Sequence, residues 1–137
     1  MSKKGAYYEY KVMEIFEDYG YAGIRTLGSG GGTKKPKPDI VVSNGTHTYG
    51  IEVKKRNSNV VYIKLNQVIE LKEFCRLFGA TPVIVVKLGK CPFYMIPVES
   101  LELCKKNYRI GLQDLKNGVD LENFLFEEYI SGCGMNV

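Results

Sequence analysis

Two runs of β-forming residues, Asp39 to Val42 and His47 to Lys55, flank Ser43-Asn44-Gly45-Thr46, and Asn-Gly between such runs is the strongest short hairpin signal. A hairpin there constrains much of the chain, because strand side chains alternate and the pairing decides which residues share a face. With Asn44 and Gly45 as a two-residue turn, facing residues have numbers summing to 89, so Asp39 is expected opposite Gly50 and Ile40 opposite Tyr49. One face then collects Pro38, Ile40, Val42, His47, Tyr49, Ile51 and Val53. The other collects Asp39, Val41, Ser43, Thr46, Thr48, Gly50, Glu52 and Lys54. Apolar and polar sides separate almost cleanly, and Asp39, Glu52 and Lys54 share the polar one. Gly50, lacking a side chain, is expected to leave space beside them.

Around the hairpin the pattern reads helix, strands, helix, strands. Lys3 to Tyr19 carries Tyr8, Val12, Ile15, Phe16 and Tyr19 at helical spacing, with Ser2 as a candidate cap and Gly20 as the stop. A short strand-like run follows from Tyr21 to Leu27, then a glycine- and proline-rich basic loop, Gly28 to Pro38. Val60 to Ile63 is β-rich. Asn66 to Phe78 presents Val68, Leu71, Phe74, Cys75 and Phe78 on one helical face, and Gly79 ends it. Thr81 to Leu88 is a β-branched run of the kind buried inside a sheet, and Phe93 to Val98 reads as another strand. From Glu99 onward helical signals are weak. The 137 residues, 45% of them apolar, predict a single α/β domain over 1–137 with a central mixed sheet flanked by helices.

Composition removes several classes. Met1-Ser2-Lys3-Lys4-Gly5 lacks the apolar core of a signal peptide and no apolar run reaches bilayer length, so a cytoplasmic protein without a membrane partner is expected. Cys75, Cys91, Cys104 and Cys133 form no Cys-x-x-Cys pair, and His47 is the one histidine, which argues against zinc, a disulfide framework or Cys/His catalysis. Thr33-Lys34-Lys35 does not supply the Gly-Lys-Ser/Thr of a nucleotide-phosphate loop. A net charge of +4 is compatible with an anionic partner and too modest to define one.

The polar face of the hairpin offers more. In the expected register Asp39 and Glu52 are diagonal neighbours, roughly 7 to 8 Å apart along the backbone and close enough for their carboxylates to converge. Two such carboxylates repel each other, and Lys54 supplies a single positive charge. A hard divalent ion completes the set: magnesium takes oxygen ligands, keeps several waters and binds phosphate. Taken alone, the three residues would more readily be read as an exposed cross-strand salt bridge of little consequence. Basic clusters on either side, Lys34, Lys35 and Lys37 in the loop and Lys55 and Arg56 after Lys54, favour a phosphate-rich partner such as DNA.

Pro38-Asp39, a gap of twelve residues, then Glu52-Val53-Lys54 matches the PD-(D/E)xK pattern of metal-dependent nucleases. With Lys4-Gly5-Ala6, Glu9, Arg25 before Gly28-Ser29-Gly30, Lys37 to Val41, Ile51 to Lys54, Gln67, and Phe74 through Ala80, the chain resembles the archaeal Holliday junction resolvases, most strongly from Lys4 to Leu88. The resemblance implies a restriction-endonuclease-like fold and a homodimer that resolves four-way DNA junctions by paired magnesium-dependent cuts, with manganese as a substitute metal and 5′-phosphate ends. It implies Glu9, Asp39, Glu52, Lys54 and Gln67 as the catalytic group, and Glu9, Asp39, Glu52 and the carbonyl of Val53 around the metal. It places Arg25, Ser29 and Lys87 with the loop lysines and Lys55 and Arg56 at the DNA, and it points to recombination or replication proteins as partners. Many members have arginine after the first-helix glutamate where this chain has Tyr10. Phe74 and Phe78, or the strand Phe93 to Val98, are the candidate dimer surfaces. A related nuclease of flaps or duplex, or a noncatalytic junction-binding protein, are the competing functions.

Overall fold

The computed structural model describes residues 3–26 and 35–132, apart from the side chains of Lys3 and Lys4. Ser2, Ser29, Lys34 and Cys133 lie outside that set. The chain opens with α1 (Lys3–Asp18), followed by β1 (Ala22–Arg25), β2 (Ile40–Ser43), β3 (Thr48–Arg56) and β4 (Val60–Lys64). Helix α2 (Leu65–Phe78) leads into β5 (Thr81–Leu88) and β6 (Tyr94–Pro97), and the tail contains β7 (Glu102–Cys104), β8 (Asn107–Gly111), β9 (Val119–Asp120) and α3 (Leu121–Gly132).

Six strands form a mixed sheet in the order β1-β2-β3-β5-β6-β9. Only β3 and β5 run parallel, from Tyr49 opposite Thr81 to Arg56 opposite Leu88. A parallel pair needs a crossover; here it is β4 and α2. Helices α1 and α3 cover one face, where Val12, Phe16, Ile40, Ile51, Val85, Leu121 and Leu125 are fully buried. On the other face α2 places Val68, Leu71 and Cys75 against Ile84, Val86 and Ile96. Helix α2 ends at Gly79, whose φ of 84° is the left-handed conformation a terminal glycine adopts without side-chain strain.

The tail adds what periodicity did not reveal. Strands β4, β8 and β7 pair antiparallel into a second, three-stranded sheet, and Val61, Ile63 and Ile110 join the α2-side core. Strand β6 lies between β5 and β9, with Met95, Ile96 and Val98 buried, so the middle of the late strand belongs to the monomer's own interior. Phe78 departs from its predicted place in the buried stripe: it is 55% exposed and stacks on Phe74 with 5.0 Å between ring centres.

The hairpin forms where predicted, but its register differs. Ile40 pairs with Ile51 and Val42 with Tyr49, a sum of 91, because the turn spans four residues. Asn44 closes it, its side-chain Oδ1 accepting from the Thr46 and His47 N–H groups at 2.9 and 2.7 Å. A two-residue type I′ turn would require positive φ at Asn44 as well as Gly45, and Lys105 is the one non-glycine residue with positive φ among the described residues. His47 consequently leaves the apolar face and sits exposed in the turn. A shift of two preserves every other face assignment, since side chains alternate with period two.

Candidate active site

The corrected register brings the acids closer than expected. One residue beyond the Ile40–Ile51 pair, Asp39 comes level with Glu52 instead of diagonal to it. Its Oδ2 accepts the Val53 N–H at 2.8 Å, and its backbone carbonyl accepts the Thr26 N–H at 2.9 Å. The N–H and C=O of a strand residue point to the same edge. Val53 therefore turns its carbonyl toward the β2 side, beyond the last β2–β3 pair.

Glu52 and Lys54 lie on the same face of β3, with Lys54 Nζ 3.8 Å from Glu52 Oε2 and both side chains less than one fifth exposed. This is not the exposed salt bridge of the competing reading. Helix α2 closes over the site, and its approach depends on Gly50: a Cβ built there would stand 2.5 Å from Cys75 Sγ. The room expected at Gly50 is thus taken by Cys75, and its consequence is that α2 lies near enough to line the site. A cavity of about 210 Å³ opens between Pro36, Lys37, Pro38, Asp39, Glu52, Gln67, Glu70 and Leu71. Glu70 was not anticipated from the sequence; its position three residues after Gln67, on the same side of a helix, is the signal that could have found it.

Burial pushes both acids well above the usual carboxylate range. For Asp39 desolvation dominates and Glu9 adds to it, opposed by the Val53 N–H and the charges of Lys54 and Arg25. For Glu52 desolvation again leads, Asp39, Glu9 and Glu70 reinforce it, and Lys54 opposes it. Two oxygen-donor groups driven toward neutrality, with one ammonium nearby, are what a hard divalent ion relieves. The residues fit such an ion. Among the described residues no three His, Cys, Asp or Glu side chains gather as a group that could hold a metal ion.

The remaining candidates are distributed around this centre. Glu9 lies on the α1 side, where its Oε1 accepts from Arg25 Nε at 2.7 Å, and it lines a neighbouring cavity with Val53 and Lys54. The Arg25 guanidinium also lies 5.2 Å from the centre of the Tyr10 ring, so the departure at Tyr10 provides a platform for Arg25. Lys37 borders the acidic cavity, and Lys35 contributes charge near Glu73 of α2. Lys55 is hydrogen-bonded to Asn57 and sits over Tyr8, while Arg56 donates to the Lys55 carbonyl at 2.8 Å. Lys87, beside Lys55 in the parallel register, turns to the Cys91 carbonyl at 2.7 Å and over Phe93. The structure therefore assembles Asp39, Glu52, Lys54, the Val53 carbonyl and Gln67, and sets Glu9, Arg25, Lys55 and Arg56 along one flank.

Comparison with known proteins gives the lineage of this arrangement. The family description "archaeal Holliday junction resolvase" matches residues 1–130. The chain belongs to that family. A relative from Archaeoglobus fulgidus, named crossover junction endodeoxyribonuclease Hjc, is 36% identical over 110 residues, covering 80% of each chain. A crossover junction endodeoxyribonuclease from Sulfolobus islandicus rod-shaped virus 1 is 38% identical over 77 residues, 56% of this chain and 63% of that one. The solved structure of Archaeoglobus fulgidus Hjc, described as a Holliday junction resolvase, superposes with a TM-score of 0.81 at 31% identity, over 90% of this chain and 96% of the other. The expected restriction-endonuclease-like fold, a central mixed sheet flanked by helices, is the one found. No helix among the described residues is long and apolar enough to cross a membrane.

Proposed function

We propose that the protein is a divalent-metal-dependent endonuclease that resolves four-way DNA junctions. The observation that supports it most directly is the pair of part-buried carboxylates, Asp39 and Glu52, brought level across two strands with the Lys54 ammonium 3.8 Å from Glu52. Asp39, Glu52 and the Val53 carbonyl are the groups that would hold magnesium, or manganese in its place, with Glu9 assisting from the α1 side. When bound, the ion lowers the pKa of a coordinated water and neutralises charge on the phosphate oxygens. The protein's own groups do the rest. Val53 N–H fixes the Asp39 carboxylate, Lys54 orients the attacking water and offsets developing negative charge, and Gln67 positions groups at the cavity mouth from α2.

Junction DNA is held by Arg25, Lys35, Lys37, Lys55 and Arg56, together with Ser29 and Lys34 outside the described residues; Lys87 would have to leave the Cys91 carbonyl to join them. Two symmetric cuts require two such sites, so the working form is a homodimer whose products carry 5′-phosphates. It acts at the nucleoid in the cytoplasm, alongside recombination or replication proteins. The test compares cleavage of synthetic four-way junctions, flaps and linear duplex, with and without magnesium. Junctions cut in preference, with cleavage lost without metal and lowered at least 100-fold in Asp39→Asn, Glu52→Gln and Lys54→Ala while junction binding persists, is the expected result. Preferential cutting of flaps or duplex would reassign the substrate, and metal-independent binding with no cleavage would make the protein architectural.

A further inference from the structure

Glu9 and Tyr10 are neighbours on α1, and the side chain of Arg25, at the end of β1, reaches both. Its Nε donates to Glu9 Oε1 at 2.7 Å, and its guanidinium carbon stands 5.2 Å from the centre of the Tyr10 ring. The two contacts use different parts of one group. A guanidinium is planar, with its N–H donors in the edge and its faces free to lie against an aromatic ring, so a carboxylate and a tyrosine can hold it together without competing. Successive helical residues point about 100° apart. Glu9 is accordingly turned inward, its side chain 13% exposed, while Tyr10 is 54% exposed and takes no part in the buried core.

The attitude of Arg25 matters because of where the residue stands. It closes β1, the outermost strand of the six-stranded sheet, and pairs with Ile40, the residue after Asp39. Its charge acts on Asp39, as does that of Glu9. A long side chain on an edge strand has many rotamers to lose, and a bond at Nε leaves the group able to pivot about it. Tyr10 removes that freedom by covering one face. The two terminal nitrogens lie at the tip of the group, and the side chain as a whole remains 22% exposed.

We infer that Tyr10 is a positioning residue for the junction: its ring holds the Arg25 guanidinium in the attitude that pairs Nε with Glu9 and aims the terminal nitrogens at a backbone phosphate beside the acidic centre. Tyr10 acts through Arg25 and does not touch DNA itself. The inference rests on the nuclease reading above and deepens it, since it names the group that fixes one of the proposed phosphate contacts. An exposed, uncharged side chain thus sets how well a neighbouring charge is used.

The experiment measures affinity for a synthetic four-way junction against salt concentration, in Glu52→Gln protein so that the DNA stays whole. The variants are Tyr10→Phe, Tyr10→Ala, Arg25→Ala and Tyr10→Ala combined with Arg25→Ala. Tyr10→Ala should bind about fivefold more weakly, the scale of a partly exposed cation–π contact, while Tyr10→Phe, which keeps the ring, should match the parent. Once Arg25 is alanine, Tyr10→Ala should cost nothing further, because the group it positions is gone. Salt separates an indirect role from a direct one. Losing a phosphate contact lowers the slope of log affinity against log salt by about one unit, so Tyr10→Ala, which removes no charge, should flatten the line only by releasing Arg25. Unchanged affinity in Tyr10→Ala, a loss at unchanged slope, or a loss that persists with Arg25 replaced would overturn the inference. So would Tyr10→Phe binding as weakly as Tyr10→Ala. In each of those cases junction cleavage by the wild type leaves the nuclease reading standing. Failure of the wild type to bind or cut junctions would refute the nuclease reading, and this one with it.

Discussion

Asp39 and Glu52 carry a consequence that can be measured without DNA. Both titrate in the folded chain above the ordinary carboxylate range near 4, Glu52 at about 8. Between those limits the folded, metal-free protein holds protons that the unfolded chain has released, so stability is greatest at the acid end and falls as pH rises through the window. The fall contributed by the pair should be on the order of several kcal/mol, and Glu52→Gln should flatten it. Saturating magnesium should cancel it by favouring the ionised carboxylates. Urea unfolding at pH 5, 6, 7 and 8 reads all three conditions; a steeper fall in Glu52→Gln than in wild type would contradict the burial assigned to these acids. These residues were visible in the sequence because period-two alternation survives a register error of two. Their level pairing was not, because it depends on Asn44 spending its side chain on two backbone N–H groups.

Among the elements, α2 is where sequence reading gained and lost most. Its extent and its Gly79 terminus were legible from spacing, and its buried stripe was right at Val68, Leu71 and Cys75 but wrong at Phe78, which satisfies itself by stacking on Phe74. What periodicity could not reveal is how closely the helix approaches the sheet, a distance set by the one missing side chain at Gly50. Gly50→Ala should force α2 outward from Cys75, destabilising the fold by about 1–3 kcal/mol and slowing cleavage as Gln67 and Glu70 withdraw. Cys75→Ala removes the obstructing sulfur and should cost about 1 kcal/mol by itself. The double variant should then be more stable than Gly50→Ala alone. Strictly additive losses in chemical denaturation would place the close contact elsewhere. Strands β7, β8 and β9 escaped prediction because they are short and because β8 and β9 pair with distant partners, β8 with β4 across more than forty residues and β9 with β6 across more than twenty, while β7 only adds a three-residue hairpin arm to β8.

At the scale of the whole molecule, one chain presents one acidic centre, and a junction cut symmetrically needs two. The proposed homodimer, with a two-fold axis, would supply them through a single self-complementary patch on each chain. With the middle of β6 enclosed by β5 and β9, the exposed Phe78 beside Phe74 on α2 is the stronger candidate for that patch. Mixing wild-type chains with Glu52→Gln chains should produce heterodimers that nick one of the two opposed strands and stop, visible as accumulation of once-nicked junction. An active species that sediments as a monomer throughout its working range would discard the dimer and leave the nuclease chemistry standing.

The hydrogen bond between Thr26 and Asp39 has a further meaning at this scale. It ties together the two ends of the segment between β1 and β2, just where the chain re-enters the sheet at Asp39, the carboxylate proposed to hold the metal. A clasp at the base of a loop insulates the framework from what the loop contains. Lengthening a loop costs little once its ends are held, since the entropy of closure grows only logarithmically with length. Residues can therefore be inserted, deleted or exchanged between the two ends of this bracket while Asp39 keeps its place opposite Glu52. In the proposed function the reach toward DNA and the chemistry of cutting would in this way be free to change separately, and the segment between Thr26 and Asp39 is where an engineer, or a lineage, would alter which branched DNA is gripped without rebuilding the centre proposed to cut it.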